Sequence, residues 1–139
     1  MCMETNLVTV NVARTETGYT ATCDRIDGWI VAVEGTFGEL ETSVKESIEF
    51  YVECAKSDNE EYDHVFDGDY KLVYHFDVRS LLSYYQNIFS LSALQYITGI
   101  NQRQLSHYLN GTSKPRAQQA KKIQNGLRNL AKELSCVSL

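Results

Sequence analysis

Residues 7–12 place Val8, Val10 and Val12 on one side of an extended chain and Leu7, Thr9 and Asn11 on the other. This period-two alternation, rich in β-branched residues, predicts a strand. Thr17-Gly18 supplies a turn, and residues 19–23 predict a second strand that closes a hairpin. Asp27-Gly28 is a further turn, and residues 29–33 (Trp-Ile-Val-Ala-Val) predict a third strand, giving a three-stranded meander. The period then changes. Thr36 and Glu39 have the T-x-x-E spacing of a capping box. Beyond it Phe37, Leu40, Val44, Ile48, Tyr51 and Ala55 recur in steps of three and four, the stripe of a helix packed on the sheet. Glu46, Glu49 and Glu53 fall on its other faces. An acidic loop at 57–61 ends the helix, and residues 70–76 predict a fourth strand.

From Asp77 onward the pattern is helical only. Asp77 is an N-cap candidate, followed by a stripe of Val78, Leu81, Leu82, Tyr85, Ile88 and Phe89. Ser90 caps a short helix through Ile97, and residues 98–101 form a tight turn around Gly99. A second short helix, 102–109, stops at Asn110-Gly111, where glycine can take the left-handed C-cap conformation. After the loop 112–115, a last helix starts near Arg116 with Ala117, Ala120, Ile123, Leu127, Leu130 and Leu134 inward. No internal repeat or Gly/Ser linker interrupts the chain. The expected organisation is α+β: a β-β-β-α-β domain over 1–76, then an all-α domain over 77–139.

Charge divides along the same line. Residues 1–76 carry 5 Lys+Arg against 16 Asp+Glu, a balance of −11; residues 77–139 carry 8 against 2, a balance of +6. A basic helical half suits a polyanion, and an acidic half suits a basic protein or simply confers solubility. The four cysteines, Cys2, Cys23, Cys54 and Cys136, have no C-x-x-C spacing, and His64, His75 and His107 are scattered. Reduced thiols in a cytoplasmic protein, with no metal and no cofactor, are therefore expected. No apolar run approaches the roughly 20 residues of a membrane span. The start, residues 1–5, has neither a basic nor an apolar leader region, so no signal peptide is expected.

Residues 90–111 (SLSALQYITGINQRQLSHYLNG) resemble the helix-turn-helix of the Cro and phage-repressor family. In that arrangement Ile100, Leu105 and Leu109 pack onto Leu94 and Ile97, leaving Gln102, Arg103, Ser106 and His107 outward. The resemblance implies that the second helix enters the major groove of double-stranded DNA. Glutamine pairs with adenine and arginine with guanine, so Gln102, Arg103 and His107 are the expected base readers, with Gln104 and Ser106 as further candidates. Ser90, Thr112, Lys114 and Arg116 lie at helix starts or in the following loop, where contacts go to phosphates. Lys121 and Lys122 add long-range attraction. The chain departs from the family pattern at Gln95, where a small residue is usual, at Thr98, where an apolar one is usual, and at Leu91, where a polar one often sits.

Gly18-Tyr19, the glycine Gly28 after a short loop, and Gly35-Thr36-Phe37-Gly38-Glu39 resemble the N-terminal domain of HicB antitoxins. The usual proline before Gly28 is absent; Arg25-Ile26-Asp27 stands there. The resemblance implies a partial ribonuclease H-like fold and a partner, a small basic HicA-like toxin that cleaves messenger RNA. Active ribonuclease H needs clustered carboxylates for magnesium. The first strand carries Asn11 and no acid between residues 7 and 12, Glu46, Glu49 and Glu53 suit a solvated helix face, and His64 and His75 suit surface and strand positions. No catalysis is therefore expected. The leading expectation is a toxin-neutralising antitoxin that represses its own operon as a dimer or tetramer. The alternative is a stand-alone helix-turn-helix transcriptional regulator whose N-terminal domain dimerises or senses a ligand; a nuclease is a third reading.

Overall fold

The computed structural model describes residues 5–139; Cys2 and most of the segment bearing on a signal peptide lie outside the described residues. The chain divides into two compact units, one ending at Asp77 and the other spanning Val78–Leu139. The first is a mixed β-sheet domain, the second an α-helical region.

In the first unit β1 (Asn6–Arg14), β2 (Gly18–Cys23) and β3 (Ile30–Glu34) form the meander, followed by α1 (Phe37–Ser57), a 3₁₀ turn (His64–Asp67) and β4 (Tyr70–Phe76). The sheet order is β3-β2-β1-β4. β1 pairs antiparallel with β2 (Val12 opposite Ala21) and parallel with β4 (Val12 opposite Phe76). The parallel pairing requires a crossover, and α1 provides it.

One sheet face turns to α1. Val8, Val10 and Val12 of β1 and Ala21 and Cys23 of β2 are buried there against Leu40, Val44, Ile48 and Val52. Phe37 meets Tyr19, Tyr74 and Phe76 edge-on or tilted at centroid distances of 5.8, 5.2 and 5.5 Å. The helix begins at the expected N-cap, where Thr36 Oγ1 accepts the Glu39 N–H at 3.2 Å. Four details differ from the sequence expectation. β1 runs two residues further at its end, because the ladder to β2 continues to Arg14 opposite Tyr19. Val52 is buried, whereas Tyr51 is only half-buried, the helical stripe having drifted by one position over four turns. Ile26 is buried in the loop where the resemblance expected proline, so a side chain plugs the core there. The 3₁₀ turn inserts Phe66 into the core, a one-residue contribution that periodicity does not reveal.

The second unit holds α2 (Val78–Tyr85), α3 (Leu91–Thr98), α4 (Gln102–Asn110) and α5 (Ala117–Ser135). Leu82, Leu94, Ile100, Leu105, Tyr108 and Ile123 form its core. Fully burying Leu82, Leu94, Leu105 and Ile123 contributes roughly 1.5–3 kcal/mol each. α2 stops earlier than its apolar stripe suggested. Asn87 N–H bonds Tyr84 O and Ile88 N–H bonds Tyr85 O, tightening the chain into turns that swing Ile88 out to 59% exposure. On α5 Ala117 and Leu134 are exposed rather than inward, because the other helices reach only its middle. Tyr108, which the stripe of Ile100, Leu105 and Leu109 omitted, is buried while Leu109 is half-buried. Among the described residues no helix is long and apolar enough to cross a membrane.

Candidate nucleic-acid interface

α3 and α4 meet through three residues. Ser90 Oγ accepts the Ala93 N–H at 3.1 Å and starts α3. Gly99 ends it at φ +72°, in the left-handed region where an L side chain is strained. Lys122 Nζ donates to Gly99 O at 3.1 Å, placing a cation on the negative end of α3. Thr98, unexpectedly polar, is 4% exposed and satisfied: its hydroxyl donates to Leu94 O at 2.7 Å and accepts the Ile100 N–H at 3.2 Å. The hydroxyl thus serves the turn where an apolar side chain cannot. Asn101 then caps α4, its Oδ1 accepting the Gln104 N–H at 2.8 Å. Gln95, long where a small residue was expected, accepts the Gln102 N–H through its side-chain oxygen at 3.0 Å.

At 3.6 residues per turn, Gln102, Arg103, Ser106, His107 and Asn110 share one sector of about 140° on α4. Leu105, Tyr108 and Leu109 occupy the opposite side, in the core or packed against it. Gln102 and Arg103 are exposed in the first turn; Ser106 and His107 are half-buried in the next. Asn110 is exposed within the same sector, and its Nδ2 lies 3.5 Å from Ser106 Oγ. Sequence reasoning missed it because it reads as a helix stop, although its spacing from Ser106 and His107 was visible. Gln104 falls outside the sector: half-buried, it donates from Nε2 to Ser113 Oγ at 3.3 Å and braces the following loop.

That loop folds back on α4. Thr112 N–H and Ser113 N–H both bond His107 O, at 3.0 and 3.3 Å. Arg79 of α2 donates from Nε to Leu109 O at 3.0 Å, satisfying another terminal carbonyl. Thr112, Lys114 and Arg116 are exposed along this loop and at the start of α5, whose N-cap Arg116 makes no side-chain capping bond. Ser90 is exposed too, but its oxygen is already an acceptor for Ala93. Lys122 holds Gly99, so Lys121 is the more available of the two lysines.

In the first unit the chemistry is of another kind. Asp67 receives Tyr62 Oη at 2.6 Å, His64 Nδ1 at 2.8 Å and Lys56 Nζ at 3.4 Å. The Tyr62 and His64 bonds hold its carboxyl below the ordinary aspartate value, and the same hydrogen bond raises the Tyr62 phenol. Asp63 caps Val65 N–H at 3.0 Å and takes Arg25 Nη1 at 3.1 Å, and both bonds lower its pKa. These contacts fasten the 3₁₀ turn to the end of α1 and to the β2–β3 loop. His64 is exposed there, and His75 lies on the solvent side of β4. Among the described residues no three His, Cys, Asp or Glu side chains are grouped to hold a metal ion, and Cys23, Cys54 and Cys136 are free thiols.

No family model matches this chain, and comparison with curated proteins and with solved structures returned no match.

Proposed function

We propose that the chain is a HicB-type antitoxin. On this reading its α-helical region is a helix-turn-helix that binds operator DNA and represses its own operon. Its acidic sheet domain, of partial ribonuclease H-like fold, covers a small basic HicA-like toxin that cleaves messenger RNA. One observation carries the DNA half: the sector of α4 with exposed Gln102 and Arg103 in its first turn, in a region with 8 Lys+Arg against 2 Asp+Glu. A helix presented by its N-terminal turn suits the major groove, and the Lys114–Arg116 stretch beside it suits phosphates. Gln102, Arg103, His107 and Asn110 then read bases, with Ser106 between them.

The protein half rests on charge. Residues 1–76 carry 16 acids against 5 Lys+Arg, which attracts a basic partner and repels nucleic acid. A second copy completes the assembly, since one α4 reads only a half-site. Past Ile123 and Leu127, which serve the core of the unit, Leu130 is half-buried and Leu134 60% exposed on the same stripe of α5, which supports a helix-to-helix dimer contact.

Co-purification of the tagged protein from its native host, with partners identified by mass, tests the reading together with titration of the purified chain against the duplex upstream of its gene. A small basic protein and specific duplex binding are expected. Specific duplex binding without any basic partner replaces the antitoxin by the stand-alone regulator, and the absence of DNA binding overturns both.

A further inference from the structure

β4 is an outer strand of the sheet, and its outer edge is open among the described residues. Asp69 O accepts Asn6 N–H at 3.3 Å and Asp77 N–H donates to Val12 O at 2.8 Å, so both point toward β1. Backbone groups alternate along a strand; those of Tyr70, Leu72, Tyr74 and Phe76 therefore point away from the sheet. The side chains of these four residues are the ones that face the α1 layer.

A groove of about 600 Å³ runs along this edge, with Tyr70, Leu72 and Tyr74 as its floor and Glu41, Lys45 and Glu49 of α1 as its wall. Glu49 lies toward Tyr70 and Glu41 toward Tyr74; burial first, and then these carboxylates, raise the two phenols above their ordinary pKa. Glu41 and Glu49 are eight residues apart on a helix, roughly 12 Å at 1.5 Å per residue. In an extended chain, residues i and i+4 stand on one side at about 13 Å. The two carboxylates therefore match the same-side repeat of a strand laid along β4, while Leu72 and the stem of Lys45 lie between them.

We propose that an extended basic segment of a partner protein, of the pattern basic-x-apolar-x-basic, adds to β4 as a fifth strand. Its backbone pairs with the outward groups of Tyr70, Leu72, Tyr74 and Phe76. Its two cations meet Glu41 and Glu49, and its apolar residue covers Leu72. The pattern is the same in either chain direction. The inference deepens the reading that the acidic domain takes a basic protein, and rests on it. A second copy fits less well. Pairing β4 with β4 repeats Tyr70, Leu72, Tyr74 and Phe76 on the groove side, so the added strand itself sets no basic-x-apolar-x-basic series against Glu41 and Glu49.

The experiment titrates the capped heptapeptide Thr-Lys-Thr-Val-Thr-Arg-Thr into the ¹⁵N-labelled full chain and follows amide exchange. Slowed exchange at Tyr70, Leu72, Tyr74 and Phe76 is expected, with at least tenfold weaker binding to the E41K/E49K variant. Both glutamates are exposed, so the variant keeps its fold. Two N-methylated peptides, one blocked at Lys, Val and Arg and one at the four Thr, complete the test: one orientation of pairing requires that only one of them loses binding. Equal binding by both, or by E41K/E49K, overturns the proposal. So does concentration-dependent protection of the same four amides without peptide, which assigns the edge to a second copy. A chain that co-purifies with a basic protein while these amides still exchange freely overturns the fifth strand and leaves the antitoxin reading standing. Peptide bound at β4 in a protein without a basic partner in its host does the reverse.

Discussion

The side-chain oxygen of Gln95, on α3, accepts the Gln102 N–H at the start of α4 at 3.0 Å. With Asn101 Oδ1 on the Gln104 N–H at 2.8 Å, two of the first three amides of α4 are satisfied within the protein. The helix end that carries Gln102 and Arg103 is thus held by α3 as well as by its own cap. Rigid support of this kind places side chains at a surface without depending on what they bind.

Gln95→Ala removes that support from an exposed site. A loss of about 1 kcal/mol is expected, in the range of a single hydrogen bond. Urea unfolding measures it, and amide exchange at Gln102 should accelerate while that at Leu105 changes little.

Two glycines respond oppositely to alanine. A Cβ on Gly126 of α5 stands 2.3 Å from Ile97 O and 3.0 Å from Thr98 Cα, so Gly126→Ala must push α5 off α3. Overpacking of this sort costs about 1–3 kcal/mol. A Cβ on Gly38, in the first turn of α1, meets nothing closer than Thr36 Oγ1 at 3.8 Å. Gly38→Ala should stabilise by about 0.5–1 kcal/mol through helix propensity and chain entropy. Thermal unfolding of the two variants beside the parent gives both signs.

If α4 reads bases, Arg103→Ala costs about 1–3 kcal/mol on operator and relaxes preference at one base pair of each half-site. Asn110→Ala tests the added member of the sector in the same way. Lys114→Ala weakens operator and scrambled duplex alike and lowers the salt slope by about one unit per lost phosphate contact. Titrations at several salt concentrations separate the two behaviours. Equal losses on both duplexes for Arg103→Ala remove base readout from this helix. The brace formed by Gln104 predicts that Gln104→Ala changes stability more than base preference.

Asp67 adds an acid-sensitive contribution to the first unit. Its folded pKa lies below the unfolded one, chiefly through the Tyr62 hydroxyl and His64 bonds. The stability it contributes is therefore present above the ordinary aspartate pKa and is lost as pH falls through the lowered folded value. Asp67→Asn should flatten this acid limb and weaken the hold of the 3₁₀ turn on Lys56 and Tyr62. Denaturant midpoints from pH 6 down to about pH 2 report it; a limb as steep as the parent's assigns the acid sensitivity to other carboxylates.

Much of this molecule was legible in the chain because its local rules agree with one another. The cap residues Thr36, Ser90 and Asn101 each accept the amide three positions on. At the ends of α3 and α4, Gly99 and Gly111 take the left-handed conformation, where glycine relieves the strain. The alternation of Val8, Val10 and Val12 marked the buried sheet face directly. Each depends on residues within a few positions of one another, which is the range over which a sequence pattern acts. Tertiary structure alone decided the rest. It paired β1 with β4 in parallel, Val12 opposite Phe76 and so 64 positions apart in the chain, leaving the outer edge of β4 open beside Glu41 and Glu49. It swung Ile88 outward, buried Ile26, Phe66 and Tyr108, and turned Gln95, Gln104 and Lys122 from surface polar groups into braces. The physical reason is common to all of them: a side chain's periodicity tells which way it leaves its own element, whereas its partner is set by whichever distant element packs across from it.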